Sequence, residues 1–294
     1  MPVVRHSSRS LGVVALIVAL LTLAARCASA AETDATRHWV VAALAESLNP
    51  DAPHWNRAAS LLFPLTRGYH VGDDAAVDAA LADAAVFLSA IDLALLSDDA
   101  RADYDLMRGF LADAGVMTTP PDSAAPPVVS HAPADDPFTL ANQLNAQCGF
   151  DPRKPGRAHP GFLQALIQKM HFHGGFSSAD PLEGFYLDSH ATLALHLCAA
   201  PQAVRQRAQA HLAHLAPLLM QRGALDALTE LLVFLNWMRT PLPMWRRYDA
   251  YIESQVNADG GLCRMRRPGC ASDWHATSLL LEWRRLKQAA HNDE

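Results

Sequence analysis

The sequence predicts an all-α protein in which helices form a layered ring. Three observations favour this class. Alanine- and leucine-rich stretches that begin with aspartate or proline recur along the chain, which is typical of helices. No stretch alternates Val, Ile and Thr as a strand does. A phrase near residue 190 returns near residue 275, and repeats of this length are typical of stacked helical units.

The first thirty residues predict an export signal. Two arginines precede the apolar run 11–25, and the small-residue site Ala28-Ser29-Ala30 follows it. The apolar run is shorter than a membrane-spanning helix, so no transmembrane anchor is expected after cleavage. An alternative is a lipoprotein signal that ends at Cys27. Either signal predicts a periplasmic or secreted protein.

Charge and length limit the function. Residues 1–30 contain three of the 24 basic residues and none of the 30 acidic ones, so the remaining 264 residues carry a net charge of −9 with neutral histidines. This balance argues against a nucleic-acid partner, because such binding depends on neutralising phosphates. A chain of this length with half its residues apolar is expected to bury a large core.

A proline-rich linker, residues 118–137, divides the rest of the chain. It contains six prolines, and proline excludes both itself and the preceding residue from a helix interior. An N-terminal helical region, 31–117, precedes the linker, and the repeat region, 138–294, follows it. The expected helices are 34–48, 52–65, 74–96 and 98–114, then 138–147, 160–170, 190–199, 203–220, 224–238, 243–255 and 275–289.

Two of these helices predict inner and outer layers. The stretch 224–238 is apolar on nearly all sides, as expected of a helix buried among others. The stretch 203–220 has a single apolar stripe, as expected of an outer helix. Aspartates 73, 74 and 78 resemble a diphosphate-binding motif, but aspartates are also common where a helix begins.

Four cysteines remain after signal cleavage, and an oxidising compartment favours two disulfides. Cys263 with Cys270 is the preferred pair, because Pro268 and Gly269 let the short loop turn back. Cys148 with Cys198 follows by elimination. The alternatives are other pairings, or thiols that ligate a metal or act as nucleophiles.

The internal repeat is carried by two blocks. Gly174-Gly175-Phe176 matches Gly260-Gly261-Leu262 at an offset of 86, and Asp188-x-His190-Ala191-Thr192 matches Asp273-x-His275-Ala276-Thr277 at an offset of 85. Each copy predicts a helix, a glycine turn, a loop and a second helix capped by the aspartate.

The histidine of each copy is expected in the first turn of the second helix. There the positive end of the helix dipole depresses the pKa of His190 and His275 and favours neutral imidazole. Neutral imidazole is the form that ligates a metal or acts as a base.

The segments 166–198 and 251–283 resemble the glycine turn and inner helix of the α/α toroid superfamily. This group includes the β subunits of protein prenyltransferases, the terpenoid cyclases and the complement-type thioester domains. The resemblance implies an α/α toroid-like repeat array. In prenyltransferases the histidine that His275 matches is a zinc ligand, and His190 is its counterpart in the other copy. The Asp-x-Cys, Asp-x-Asp-Asp and Cys-Gly-Glu-Gln motifs of these families are missing here.

A metal site is one hypothesis for the repeat. If both glycine turns open on one end of the ring, their acids and histidines can converge and hold zinc. The alternative is that the aspartates cap helices and the histidines pack in the turns. The candidate ligands are His171, His173, Asp188, His190, Asp259, Asp273 and His275.

A metal-free hypothesis uses His190 or His275 as a general base and Tyr186 as an acid, to remove a proton next to a carboxylate. The loop residues Arg264, Arg266 and Arg267 would bind an anionic substrate, unless they are only solvated surface.

The predicted function is therefore an exported enzyme, a lyase or hydrolase that acts on a carbohydrate or another small anionic substrate. The alternative is a non-catalytic periplasmic or secreted binding protein.

Overall fold

The computed structural model describes residues 33–49, 53–67, 69, 71–118, 136–149, 156–170 and 181–292. Within these ranges the protein is all-helical, and no strand occurs. The predicted signal and most of the predicted linker lie outside them. The helices are α1 (33–47), α2 (Trp55–Thr66), α3 (Ala75–Ser89), α4 (Asp98–Asp113), α5 (Pro137–Cys148), α6 (Pro160–Lys169), α7 (Pro181–Leu197), α8 (Gln202–His214), α9 (Ala216–Arg222), α10 (Leu225–Trp237), α11 (Trp245–Glu253) and α12 (Trp274–Asn292), with a 3₁₀ turn at Leu93–Leu95.

Most predicted helices are confirmed, and three boundaries differ. The predicted helix 203–220 is two helices, because Pro217 in the first turn of α9 has no N–H to continue the hydrogen-bond ladder of α8. The predicted helix 74–96 ends at Ser89. The predicted helix 190–199 begins nine residues earlier, at Pro181, which changes the surroundings of His190.

Several helices begin where a polar side chain accepts hydrogen bonds from free backbone N–H groups. Asp74 accepts from Ala76 and Val77, and Asp136 accepts from Thr139. Asp74 therefore caps α3, which accounts for this member of the acidic cluster at residues 73–78 without a diphosphate.

Two hydrophobic cores lie along the chain. Helices α1 to α4 enclose the first, and helices α5 to α12 enclose the second. Helix α12 belongs to both, because Leu281 packs in the first core while Leu280 and Trp283 pack in the second. The helical regions on either side of the predicted linker are therefore packed against each other.

Helix α10 lies at the centre of the second core. Every residue from Leu225 to Leu235 is buried, and α7, α8, α9, α11 and α12 all pack against it. The prediction of a helix buried on all sides is confirmed. Two of its buried residues are acids, Asp226 and Glu230, and a buried acid requires partners.

The second glycine turn fits closely against α1. Gly260 has a φ of +84°, and a Cβ atom there would lie 2.6 Å from the carbonyl carbon of Ala35. The hydroxyl of Thr36 donates to the Gly260 carbonyl oxygen at 2.6 Å. A side chain at Gly261 would collide with Ser272. Both glycines are thus explained by the turn conformation and by close packing.

Both preferred disulfides are confirmed, Cys148 with Cys198 and Cys263 with Cys270. The first joins the end of α5 to the end of α7, and the second closes the loop that carries the three arginines. None of the helices in the described ranges is long and apolar enough to cross a membrane.

Candidate functional site

The centre of the site is a pair of acids on α10. Asp226 and Glu230 are four residues apart, so they lie on one face of the helix, and both are nearly inaccessible to solvent. That face meets α7 on one side and α12 on the other.

His275 stands at the start of α12. Asp273 accepts hydrogen bonds from the backbone N–H groups of His275 and Ala276, so the predicted cap of this helix is confirmed. The Nδ1 atom of His275 is 2.8 Å from Asp226 Oδ1. Its Nε2 atom is 4.0 Å from Glu230 Oε2.

His190 lies in the middle of α7, and the prediction of a helix start at this residue was wrong. The helix extends back to Pro181, so Asp188 is not an N-cap and His190 is not in a first turn. The Nδ1 atom of His190 is 2.7 Å from Asn142 Oδ1. Its Nε2 atom is 4.0 Å from Glu230 Oε1. The two repeated histidines therefore face the same carboxyl group from α7 and α12, the two helices that pack on this face of α10.

The contact with the Asn142 amide oxygen indicates which ring nitrogen of His190 carries the proton. The amide oxygen of Asn142 only accepts, so the Nδ1 atom of His190 donates to it. The neutral ring then has its lone pair on Nε2, the atom that faces Glu230. The rings of Phe138 and Phe234 flank the imidazole, with centroids 4.9 Å and 6.0 Å from its own.

Three further side chains surround the two acids. The Tyr186 hydroxyl donates to Asp226 Oδ2 at 2.6 Å, and the Ser189 hydroxyl donates to Glu230 Oε1. The guanidinium of Arg264 is 3.7 Å from Asp226 Oδ2 and lies over the ring of Tyr186. In contrast, Glu230 Oε2 has no hydrogen-bond partner among the described residues.

The two histidines differ in charge near neutral pH. Burial lowers the pKa of His190 to about 4, and the positive charge of His275 acts in the same direction. Burial also works against a charged His275, but the hydrogen bond and negative charge of Asp226 outweigh it and raise the pKa to about 9. Near neutral pH His275 is an imidazolium and His190 is neutral. The expected depressed pKa is thus wrong for His275, because the carboxylate outweighs the helix dipole.

The two acids also have separated pKa values. Burial raises the pKa of Glu230 to about 7, with the charge of His275 opposing and that of Asp226 adding. Burial acts on Asp226 as well, but the hydrogen bonds from His275 and Tyr186 outweigh it and hold its pKa below the ordinary value. Tyr186 stays protonated, since burial and the neighbouring Asp226 raise its pKa. Pairs of groups with pKa values pushed apart are typical of acid–base sites.

The residues predicted as metal ligands are not gathered in one place. Asp188 Oδ2 pairs with His211 Nε2 at 3.0 Å, Asp259 accepts from Ser272, and Asp273 caps α12. His171 and His173 lie outside the described residues. In the described part of the chain, no three His, Cys, Asp or Glu side chains are arranged to hold one metal ion. The zinc hypothesis stays a prediction without a ligand set in these ranges.

The three predicted substrate-binding arginines differ in position. Arg264 reaches Asp226 and Tyr186 while its own side chain is 63% exposed, so it joins the cluster to the solvent. Arg266 and Arg267 are exposed. The backbone N–H of Arg266 donates to the Gly223 carbonyl oxygen, and among the described residues its guanidinium has no ion pair with the cluster. Tyr186, predicted as an acid, keeps its proton and donates a hydrogen bond to Asp226.

Sequence reasoning did not identify Asp226, Glu230, Ser189 or Asn142. The two acids had a detectable signal, because they lie in a stretch predicted to be buried on all sides. Asn142 and Ser189 had none, since polar residues of these types are common along the surfaces of helices.

Comparisons with known proteins add no relative. No family model matches the chain, and the searches of curated proteins and of solved structures found no match. The chemistry of the site is therefore inferred from its own geometry.

Proposed function

We propose that the protein is an exported enzyme that moves a proton on a small anionic substrate, most simply a lyase or hydrolase acting on an acidic carbohydrate or a similar acid. One observation carries the proposal. One neutral and one positively charged histidine face a single buried glutamic acid, each with Nε2 at 4.0 Å from one of its carboxyl oxygens. A neutral base beside an imidazolium is suited to acid–base catalysis.

The wider setting is proposed as follows. The repeat region, 138–294, is a toroid-like array whose inner helices carry the site, preceded by the N-terminal helical region. The support is the buried α10 surrounded by other helices and the recurrence of the Asp-x-His phrase on α7 and α12. The two disulfides support an oxidising compartment outside the cytoplasm.

Each residue has a role in this mechanism. His275, held as an imidazolium by Asp226, and Arg264 attract the anionic group of the substrate. Tyr186 fixes Asp226 by donating to it. His190, oriented by Asn142, offers the Nε2 lone pair as the base. In this proposal Tyr186 orients the site and is not the acid.

The lyase step balances with these groups alone. His190 Nε2 takes the proton from the carbon next to the carboxylate, and the electrons of that bond form a carbon–carbon double bond. The bond from the adjacent carbon to the leaving oxygen breaks, and His190 returns its proton to that oxygen. A hydrolase would use the same base on a water molecule instead.

The test is an assay on polyuronates and small hydroxy acids that follows new double bonds by ultraviolet absorbance and new reducing ends by colour reaction. We expect His190→Gln to lower kcat/KM by on the order of 100-fold or more, as loss of a general base does. His211→Gln is the control, since His211 is another half-buried histidine, but it pairs with Asp188 and lies outside the cluster. Equal losses in both variants would contradict the role of His190.

The pH profile is a second readout. Activity needs neutral His190 and charged His275. An ionised Glu230, 4.0 Å from the Nε2 atom of each ring, would repel the anionic substrate, so kcat/KM falls as pH rises through about 7, the pKa of Glu230. Glu230→Gln should move this fall to higher pH, toward the pKa of His275. A fall that stays in place in Glu230→Gln would exclude Glu230 as its cause.

A non-catalytic binding protein is the second candidate. The low pKa of His190 favours it, because a group with a pKa of about 4 is a weak base. Binding of an anionic ligand without any product would support this alternative.

A further inference from the structure

The gap between His275 and Glu230 has the size of one bridging oxygen atom. A separation of 4.0 Å between His275 Nε2 and Glu230 Oε2 is too long for a direct hydrogen bond. An oxygen placed between them can lie at normal hydrogen-bond distance from both atoms.

Glu230 Oε2 requires such a partner. The Glu230 side chain is 1% exposed, and Oε2 has no hydrogen-bond partner among the described residues. The other oxygen, Oε1, already accepts from Ser189. A buried polar atom without a partner costs on the order of 1–3 kcal/mol, so the arrangement favours an oxygen atom in the gap.

We propose that one oxygen of a ligand carboxylate sits between His275 Nε2–H and the protonated Oε2 of Glu230, so that the ligand of this site is a monoanionic carboxylic acid whose binding takes up a proton. This inference rests on the proposed function for the location of the substrate site and adds where the carboxylate binds, the monoanionic charge of the ligand and the uptake of a proton.

The charges of the neighbouring groups favour a monoanion. On α10 and α12, Asp226 and His275 cancel each other, and on α7 His190 is neutral. Protonated Glu230 adds no charge, and Asp273 partly offsets the charge of Arg264 at the opening, so the site offers at most one net positive charge. A dianion such as a phosphate monoester would be left with an uncompensated charge.

Proton uptake follows from the state of Glu230. Its pKa of about 7 leaves it partly ionised at neutral pH, and an ionised Glu230 would repel the ligand carboxylate. Binding should therefore weaken as pH rises above about 7, by up to about tenfold for each further pH unit.

The experiment is calorimetric titration of the full chain with acetate, glucuronate, inorganic phosphate and glucose. Each titration is run in two buffers of different ionisation enthalpy, which gives the number of protons taken up. We expect the two carboxylates to bind, with uptake near zero at pH 5.5 and approaching one proton at pH 8. At pH 8, where inorganic phosphate is mainly a dianion, it should bind more weakly than the carboxylates, and glucose should not bind.

Glu230→Gln is the main variant. Ser189 donates to Oε1, so the amide oxygen of glutamine takes that place and its NH₂ group takes the place of protonated Oε2. We expect the variant to bind carboxylates with no proton uptake and little pH dependence up to about pH 8. Arg264→Gln should weaken binding about tenfold, in the range for loss of a charged contact, while Arg267→Gln, on the exposed part of the same loop, should not.

Three results would overturn the inference: no carboxylate binding at millimolar concentrations, binding without proton uptake at pH 8, or tighter binding of phosphate than of carboxylates. The proposed function fails separately. Carboxylate binding with proton uptake but no turnover of any acid would support the inference about the ligand and contradict the proposed enzymatic function.

Discussion

The two copies of the Asp-x-His-Ala-Thr phrase share their sequence and differ in their physics. In the second copy Asp273 caps α12, and His275 in its first turn is charged because Asp226 accepts its Nδ1 proton. In the first copy Asp188 lies in the middle of α7 and pairs with His211 of α8. His190 is neutral, with Asn142 as its partner. The partner on the facing helix, and not the repeated phrase, decides what each histidine can do.

The convergence on Glu230 depends on this asymmetry. Two imidazolium ions on one buried carboxyl group would repel each other, and two neutral rings would give it no positive charge. The chain places a carboxylate behind one ring and an amide behind the other. One cation and one base therefore share a single acid.

The largest effect is expected from Asp226→Asn, which removes the carboxylate behind His275. The raised pKa of His275 stabilises the fold fully below its unfolded value of about 6.5, and this contribution is lost as pH rises through about 9. The free energy of unfolding of the variant should therefore be about 2–3 kcal/mol lower than that of the wild type at pH 6. The deficit should shrink towards pH 9. Urea denaturation at a series of pH values measures it, and a deficit independent of pH would contradict the coupling.

Glu230→Gln should change stability in the opposite sense. The folded pKa of Glu230, about 7, lies above its ordinary 4.5, so its contribution is fully present below 4.5 and is lost as pH rises through 7. Glutamine does not ionise. The free energy of unfolding of the variant, relative to that of the wild type, should therefore rise by about 2 kcal/mol from pH 5 to pH 8. Denaturation midpoints at the two pH values provide the measurement. A constant difference would show that Glu230 is ionised throughout.

The threonines of the two copies form a matched pair for a smaller effect. The Thr277 hydroxyl donates to the Asp273 carbonyl oxygen at 2.6 Å and accepts from the Leu262 N–H at 2.9 Å. The Thr192 hydroxyl is buried without a hydrogen-bond partner among the described residues. Thr277→Val should cost about 1–2 kcal/mol, while Thr192→Val should be neutral or stabilising. Thermal unfolding of both variants tests this, and equal losses would mean that the copies use their threonines alike.

The smallest effect on stability is expected from Asn142→Asp, which gives His190 the same kind of partner as His275. We expect the pKa of His190 to rise from about 4 to between about 5 and 7, with less than about 1 kcal/mol change in stability. Histidine NMR titration reads the pKa directly. Asn142→Ala, which removes the acceptor without adding charge, should leave the pKa low.

Local patterns in the sequence predicted the helices, both disulfides and the buried α10, because each depends on residues close together in the chain or on a short set of cysteines. They did not predict where α7 begins. Asp188 is a good cap by type, but Pro181 is also a favoured first helical residue, and the longer helix results.

The site was only half predictable for a similar reason. His190 and His275 were found because they recur. Asn142 is 48 residues from His190 and Asp226 is 49 residues from His275, so only the packing of helices brings the partners together. The charge of each ring follows from those partners, and a single sequence contains no mark of which residues will face one another.

The most direct test of the convergence on Glu230 is an NMR titration of the histidine side chains in the wild type, with His190→Gln and His275→Gln used to assign the two signals. If one ring is neutral and the other charged at neutral pH, the titration midpoints should lie near 4 for His190 and near 9 for His275. At neutral pH His190 should be the Nδ1–H tautomer and His275 doubly protonated. Two midpoints near the ordinary value of about 6.5 would contradict the shared acid–base site.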